Sequence, residues 1–228
     1  WNLRFGGCTT ATGECSGLEM DACKTCTMNH NVIYDIYPTG AGGGTCFRIG
    51  GTAAETISDG SVGAFNWCAN VRQFGAEAHV SGGSGTLGTK VTFTHNYFSH
   101  LGTRCGIGGR WYGNVCLNWS MVTAGAYGIL NPIRMYGNVL MGEDATVAAS
   151  IANGSGLGLF FDSADGNRNK TAVIVQDLLT GWYDSTGIRY GIQLEEGIDF
   201  DVTATNVTVD GGPNSTSNVR AYYFAMTT

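Results

Sequence analysis

Short stretches of alternating apolar and polar residues carry most of the side chains in this sequence that are equipped for chemistry. They are GLEMD, CFRIG, AEAHV, TRCGI, YGILN, GLFFD and GIQLE. If each is a strand, successive side chains point to opposite faces. Leu18, Met20, Phe47, Ile49, Cys105, Ile107, Ile129, Leu159, Phe161, Ile192 and Leu194 then lie inside. The outward set is Glu19, Arg48, His79, Arg104, Phe160, Asp162, Gln193 and Glu195. Cations, carboxylates, an imidazole and an aromatic in one line suit an extended ligand that carries charge. Two carboxylates flanking one glycosidic bond would hydrolyse it, and Glu19, Glu77, Asp162 and Glu195 are available for that. Phe160 and Trp111 offer flat faces for stacking on sugar rings. Polar side chains on an outer strand face are also what any solvated sheet carries.

Metal and phosphate chemistry find less support. CKTC has a C-x-x-C spacing, but zinc wants a second such pair and a thioredoxin-like motif wants an α/β pattern. Disulfides or buried thiols are the expected state of the 8 cysteines, with the pairing left open. His30, His95 and His100 read as turn or solvent-facing residues. GGSGTLG is not followed by a helix pattern, so it does not read as a phosphate loop. DSADGNRN lacks the spaced ligands of a calcium loop and reads as the tip of an inserted hairpin or loop.

The elements that must position these side chains announce themselves as a repeat. WNLRF, MNHNVIYD, NWCANVRQF, VTFTHNYFSH, GNVCLNWSMV and IRMYGNVLMG each run from alternating residues into Asn and then an apolar residue. AVIVQDLLTG and DVTATNVTVDG continue the series. The aligned positions are Asn2, Asn31, Asn70, Asn96, Asn118, Asn138, Gln176 and Asn206. Several steps approach one coil of a β-solenoid, on the order of 20 to 30 residues. Asn tolerates the left-handed conformation that a sharp bend between strands needs. Stacked Asn side chains also hydrogen-bond from coil to coil. An all-β chain is therefore expected, a right-handed parallel β-helix of about seven to nine coils. It forms one domain over residues 1–228, with further coils and an inserted loop after residue 142.

Composition agrees. The 228 residues are 43% hydrophobic, only 13% charged, and include 36 Gly and 3 Pro. Abundant Gly, Thr, Val and aromatics suit strands joined by tight turns. The net charge is −6 and no Lys/Arg run occurs, which argues against nucleic acid as a partner. No apolar stretch is long enough to span a membrane. Sequons at Asn118, Asn153, Asn169, Asn206 and Asn214, with the even cysteine count, lean towards an extracellular, secreted or virion- or cell-surface setting. The chain opens at Trp1 in what reads as mid-helix, so its N-terminal end is expected to stack on another chain or domain.

KVTFTHNYFSHLGTRCGIGGRWYGNVCLNW resembles the core segment of the pectate and pectin lyases. WNLRFGG with GLEMDACKTCTMNHNVIYD is similar to their upstream region, and YGILNPIRMYGNVLMG to the next coil, so the likeness covers residues 1–142. It implies β-elimination on an acidic polysaccharide. Arg104 falls where the family has its catalytic Arg, and Arg110 near its second one. Arg48 and Arg110 would bind acidic groups, with Glu77 and His79 assisting. Other positions depart from the pattern. Asn29 and Ser16 stand where the family has Asp, and Gly43 and Phe47 where it has an acidic pair. Glu77 falls near a Lys of the family. Calcium, the family's cofactor, thus loses most of its carboxylates, although Glu19 and Asp21 lie nearby.

Two readings follow. One is a non-catalytic glycan-binding, adhesive or structural module, such as part of a phage tailspike. The other is a polysaccharide lyase with Arg104 as base. The lost carboxylates favour the first.

Overall fold

The computed structural model of the chain describes residues 4–5, 15–21, 25–36, 44–52, 60–71, 74–78, 80–81, 91–101, 104–107, 109–117, 122–124, 133–142, 156–161, 171–182, 189–194, 200–210 and 219–224. These segments run through three sheets in an unvarying order. β1 (Arg4–Phe5) and β2 (Cys15–Asp21) open the series. Triplets follow: β3 (Thr27–Asn29), β4 (Val32–Ile36) and β5 (Gly44–Thr52), then β6 (Val62–Ala64), β7 (Trp67–Val71) and β8 (Phe74–Glu77). The short β9 (Val80–Ser81) lies beside β5. The next triplets are β10 (Thr92–Thr94), β11 (Tyr97–Leu101), β12 (Arg104–Ile107), and β13 (Arg110–Tyr112), β14 (Val115–Leu117), β15 (Val122–Ala124). Then come β16 (Ile133–Tyr136), β17 (Val139–Gly142), β18 (Gly156–Phe161), and β19 (Thr171–Gln176), β20 (Leu179–Trp182), β21 (Arg189–Leu194). The last triplet is β22 (Phe200–Thr205), β23 (Thr208–Asp210) and β24 (Val219–Phe224).

The first member of every triplet joins a seven-stranded sheet, the second an eight-stranded sheet and the third a nine-stranded sheet. Each strand pairs in parallel with its counterpart in the next triplet, so the protein is all-β, built of stacked parallel sheets. Parallel pairs need long connections. Here two other strands supply them.

The core lies between the three sheets. Met28, Phe93, Trp111, Met135 and Val175 fill it from the first, Ile33, Cys68, Phe98, Cys116 and Leu140 from the second, and Phe47, Ala76 and Ile192 from the third. Phe47, Phe93, Phe98 and Trp111 meet ring to ring at 5.0–5.9 Å. Of the residues expected inside, Phe47, Ile49, Cys105 and Ile192 are buried, and Leu18 and Met20 pack against the core. Ile107 shares a register column with Glu77 and Arg48.

The second and third sheets meet by alternation. Cys46 of β5 is bonded to Cys68 of β7, and Cys105 of β12 to Cys116 of β14, with Cα atoms 6.1 and 6.2 Å apart. Each disulfide joins a third-sheet strand to the following second-sheet strand. Before the first disulfide and again between the two, the same two positions hold a glycine and a large side chain. A Cβ on Gly17 would strike Ile33, and one on Gly75 would lie 2.5 Å from Phe98 Cδ1. Small faces large, or cysteine faces cysteine, and both combinations fill a similar space. Cys15 and Cys26 are disulfide-bonded too, and no described cysteine is free.

The bend between first and second sheets holds the predicted asparagine stack, at different positions. Asn31, Asn66, Asn96, Asn114 and Asn138 form it, all buried. The Oδ1 of Asn66 accepts from the backbone N and the Nδ2 of Asn31, at 3.0 and 2.9 Å. The same pair of bonds recurs from Asn66 to Asn96, Asn96 to Asn114 and Asn114 to Asn138, at 2.9–3.1 Å. The remaining Nδ2 hydrogens of Asn66, Asn96, Asn114 and Asn138 go to the carbonyls of Met28, Gly63, Phe93 and Trp111. Buried amides demand such satisfaction. The ladder stops where Leu178 and then Val207 take the position.

Two expectations are thereby corrected. Asn70 lies four residues past the ladder, exposed within β7, and its Nδ2 donates to Asp35 Oδ1. Gln176 ends β19, two residues before the ladder position. Asn2 and Asn118 lie outside the described residues. Moreover, in this stack the left-handed residue is the one before each Asn. His30, Phe65, His95, Gly113 and Gly137 have φ of 53–62°, as do Asp177 and Asn206 in the last two triplets. The Asn is freed for the interior because its neighbour takes the bend. The backbone ladder passes through unbroken: His95 N donates to Tyr112 O at 3.0 Å and Tyr97 N to Asn66 O at 2.9 Å.

Candidate functional site

A left-handed residue at an outside corner sends its side chain away from the core. Glycine, Asn and Asp occupy this position at Gly113, Gly137, Asp177 and Asn206, as conformational preference dictates. His30 and His95 are also of a type found there, whereas Phe65 does not follow that preference. For a bulky ring this conformation is an outlier with a cost of order 1–3 kcal/mol. Phe65 is also 52% exposed, so burial does not offset the strain. The three rings stack in a column, Phe65 lying 5.1 Å from His30 and 5.2 Å from His95, at 14° and 17°. Thr94 Oγ1, 2.6 Å from His95 Nδ1, fixes the end of the column.

Two residues further along each strand a second column faces outward. Register aligns Val32, Trp67, Tyr97, Val115 and Val139. Trp67 is 43% and Tyr97 37% exposed. The two columns straddle the asparagine ladder, whose buried amides lock the backbone beneath them. Together His30, Phe65, His95, Trp67 and Tyr97 make a rigid, solvent-facing aromatic ridge. On the adjoining first-sheet face Tyr112 and Tyr136 stack at 5.6 Å and 14°. Flat apolar faces with polar tips, held on a fixed frame, suit stacking on the apolar faces of sugar rings. Outward alternation from the third sheet had pointed elsewhere. The overlooked signal was local: HNV, FNW and HNY place a ring next to the ladder Asn three times.

Three of the expected binding residues do come together. Glu19, Arg48 and Glu77 occupy one register column across β2, β5 and β8. Arg48 Nη1 lies 3.5 Å from Glu19 Oε1, and Thr45 Oγ1 is 3.5 Å from Glu77 Oε2. Arg48 and Glu77 are nearly buried and Glu19 is exposed. Arg48 is ion-paired to Glu19 within the protein, so this column ties strands together and offers little to an acidic ligand.

The others disperse. Arg104 opens β12 in the third sheet, in register with Phe74, whereas Arg110 opens β13 in the first. Phe160 lies in β18, in register with Thr123 and Gln193. His79, Asp162 and Glu195 lie outside the described residues. Trp111 requires a correction: it is fully buried against Phe93 and Phe98 and has no face for a sugar. Alternation explains it, because Arg110 and Tyr112 on either side point outward. His30 and His95 are exposed turn residues, as expected. Among the described residues no group of three His, Cys, Asp or Glu is arranged to hold a metal ion, and no helix is long and apolar enough to cross a membrane.

Comparison with family models, curated proteins and solved structures finds no match for the chain.

Proposed function

We propose that the chain is a non-catalytic glycan-binding module, wound as a right-handed parallel β-helix and displayed outside the cell or on a virion or cell surface. The observation that carries the binding is the aromatic ridge, above all Phe65. Its ring stays exposed at a corner where glycine, Asn or Asp would serve the backbone, and a large exposed ring stacked between two others supports a role in binding. The cyclic passage through three parallel sheets supports the winding, and crossovers between parallel strands are right-handed in nearly every fold. The disulfides support an oxidising compartment. Stacked coils hold the ridge at a repeat of about 4.8 Å, near the length of one sugar unit.

The test is equilibrium binding to a panel of neutral and acidic oligosaccharides, with Trp67→Ala and Tyr97→Ala beside the parent. Each truncation should weaken binding about three- to tenfold, the range of an aromatic stacking term. Both substitutions lie on the solvent face, so thermal unfolding should stay close to that of the parent. Unchanged affinities in both variants would overturn the assignment of the ridge. Incubation with polygalacturonate, with and without calcium, addresses the lyase reading. Ultraviolet-absorbing unsaturated product that disappears in Arg104→Ala would overturn the non-catalytic assignment.

A further inference from the structure

Arg110 and Arg134 stand on adjacent parallel strands, each one residue before the register pair Trp111 and Met135. Since Trp111 and Met135 point into the core, both arginines point outward, as do Tyr112 and Tyr136 beyond them. Thr92 precedes Arg110 in the column and Ile174 follows Arg134. Like charges directly opposite on neighbouring strands repel. Among the described residues no carboxylate pairs with either one. Asp177, the exposed acid of the nearby corner, accepts instead from Asn206 Nδ2 at 3.0 Å. The Nε of Arg110 is buried and has no hydrogen-bond acceptor. An adjacent cation pair without a paired carboxylate suits an oxoanion, which the outward N–H groups of the two guanidiniums can hold in a fork.

The surroundings say what carries the anion. The stacked Tyr112 and Tyr136 rings lie two residues from the guanidinium column, on the same face. Glycine at the next two corner positions, Gly113 and Gly137, leaves those rings without a neighbouring side chain on the corner. Thr94 and Gln176 bracket the tyrosines in register and supply hydroxyl and amide groups. The ridge reaches this patch directly, because His95 lies against Gly113.

We infer that Arg110 and Arg134 form an anion subsite for a carboxylate or sulfate ester on a glycan whose ring rests by Tyr112 and Tyr136. The inference rests on the glycan-binding reading and extends it to an acidic ligand. It uses a face different from that of Arg104 and the Glu19–Arg48–Glu77 column.

Calorimetric titration of the whole chain tests it with three probes: an oligogalacturonate, a sulfated chondroitin oligosaccharide and a neutral xylo-oligosaccharide. Arg134→Gln should weaken binding of an acidic probe about tenfold, and Arg110→Gln similarly, with the neutral probe unaffected. Salt should weaken binding of the acidic probe to the parent and have less effect in the variants. Loss confined to the uronate assigns a carboxylate, loss confined to the chondroitin assigns a sulfate, and loss of both assigns either anion. Acidic probes that bind the parent no better than the neutral one would overturn the subsite. So would equal affinity in parent and Arg110→Gln/Arg134→Gln double variant. Failure of the ridge is separable, since Trp67→Ala would then leave every probe unchanged while Arg134→Gln still discriminates. Arg134 is exposed, so its variant keeps the parent's melting temperature and its binding remains interpretable.

Discussion

Gly75 lies against the ring of Phe98 so closely that an added Cβ would stand 2.5 Å from Phe98 Cδ1 and 2.6 Å from the Cys105 carbonyl oxygen. One obstacle is a packed ring and the other is backbone in the next strand, so neither yields freely. Gly75→Ala should destabilise the fold by about 1–3 kcal/mol, the usual range for overpacking. Urea unfolding will read it as a lower midpoint at unchanged slope. Trimming the partner, in Gly75→Ala with Phe98→Leu, should recover part of the loss. A neutral Gly75→Ala would show that the two sheets are more loosely packed than described.

The disulfide between Cys105 and Cys116 closes a short loop of 11 residues in sequence. Replacing both by Ala should cost about 2–4 kcal/mol. A different pair should do better. Cys105→Gly with Cys116→Phe copies the Gly75 and Phe98 combination found one strand earlier in the same two sheets. It loses the crosslink but keeps the volume. Melting temperatures of the two double variants, in oxidising buffer, compare them directly. Equal melting points would reject the equivalence of the two solutions.

Asn66 and Asn70 are four residues apart and have opposite duties. Asn66→Ala removes the acceptor for two donors of Asn31 and leaves a void in the ladder. The expected loss is about 2–4 kcal/mol, from orphaned buried donors plus a cavity. Asn70 is exposed and left-handed, so Asn70→Gly suits its backbone and should cost less than about 1 kcal/mol. Chemical denaturation of both separates a ladder residue from a surface one.

Phe65 presents a trade between stability and function. Phe65→Gly relieves a left-handed phenylalanine, worth about 1 kcal/mol, and gives up two ring contacts worth a comparable amount. The fold should therefore change little in stability while affinity for the bound glycan falls. Differential scanning calorimetry and the oligosaccharide titrations, run on the same preparation, report the two quantities. A large loss of stability with unchanged affinity would mean that the ring serves the fold.

How far the sequence was legible depends on what each signal encodes. Alternation and the recurring Asn were enough for parallel strands stacked about an asparagine column, because both follow from backbone periodicity. The register was not legible at two coils. NWCAN and GNVCLN each contain two asparagines four residues apart, and only packing decides that Asn66 and Asn114 turn inward. The conformational preference of Asn also misdirected the reading, since His30, Phe65 and His95 absorb the bend instead. Trp111 was given a stacking role on its ring alone, with no strand assigned to it. A new strand, β13, begins at Arg110 after β12, and its own alternation turns Trp111 inward. Glu19, Arg48 and Glu77 share a register column, but the burial of Arg48 and Glu77 and the ion pair of Arg48 with Glu19 depend on side-chain approach, which alternation does not encode.

The Gly–large and Cys–Cys pairs set where this chain can be cut and spliced. Among the described residues each such pair runs from a third-sheet strand forward to the next second-sheet strand: Gly17 to Ile33, Cys46 to Cys68, Gly75 to Phe98, Cys105 to Cys116. The transferable cassette is therefore out of phase with the triplets of strands. A segment lost, duplicated or grafted between β4 and β5, β7 and β8 or β11 and β12 carries its partners with it. The same length excised one strand later would leave Cys46 facing Phe98, a thiol against a ring. The boundaries for building longer or shorter versions are thus set by the interior and lie between the second and third sheets.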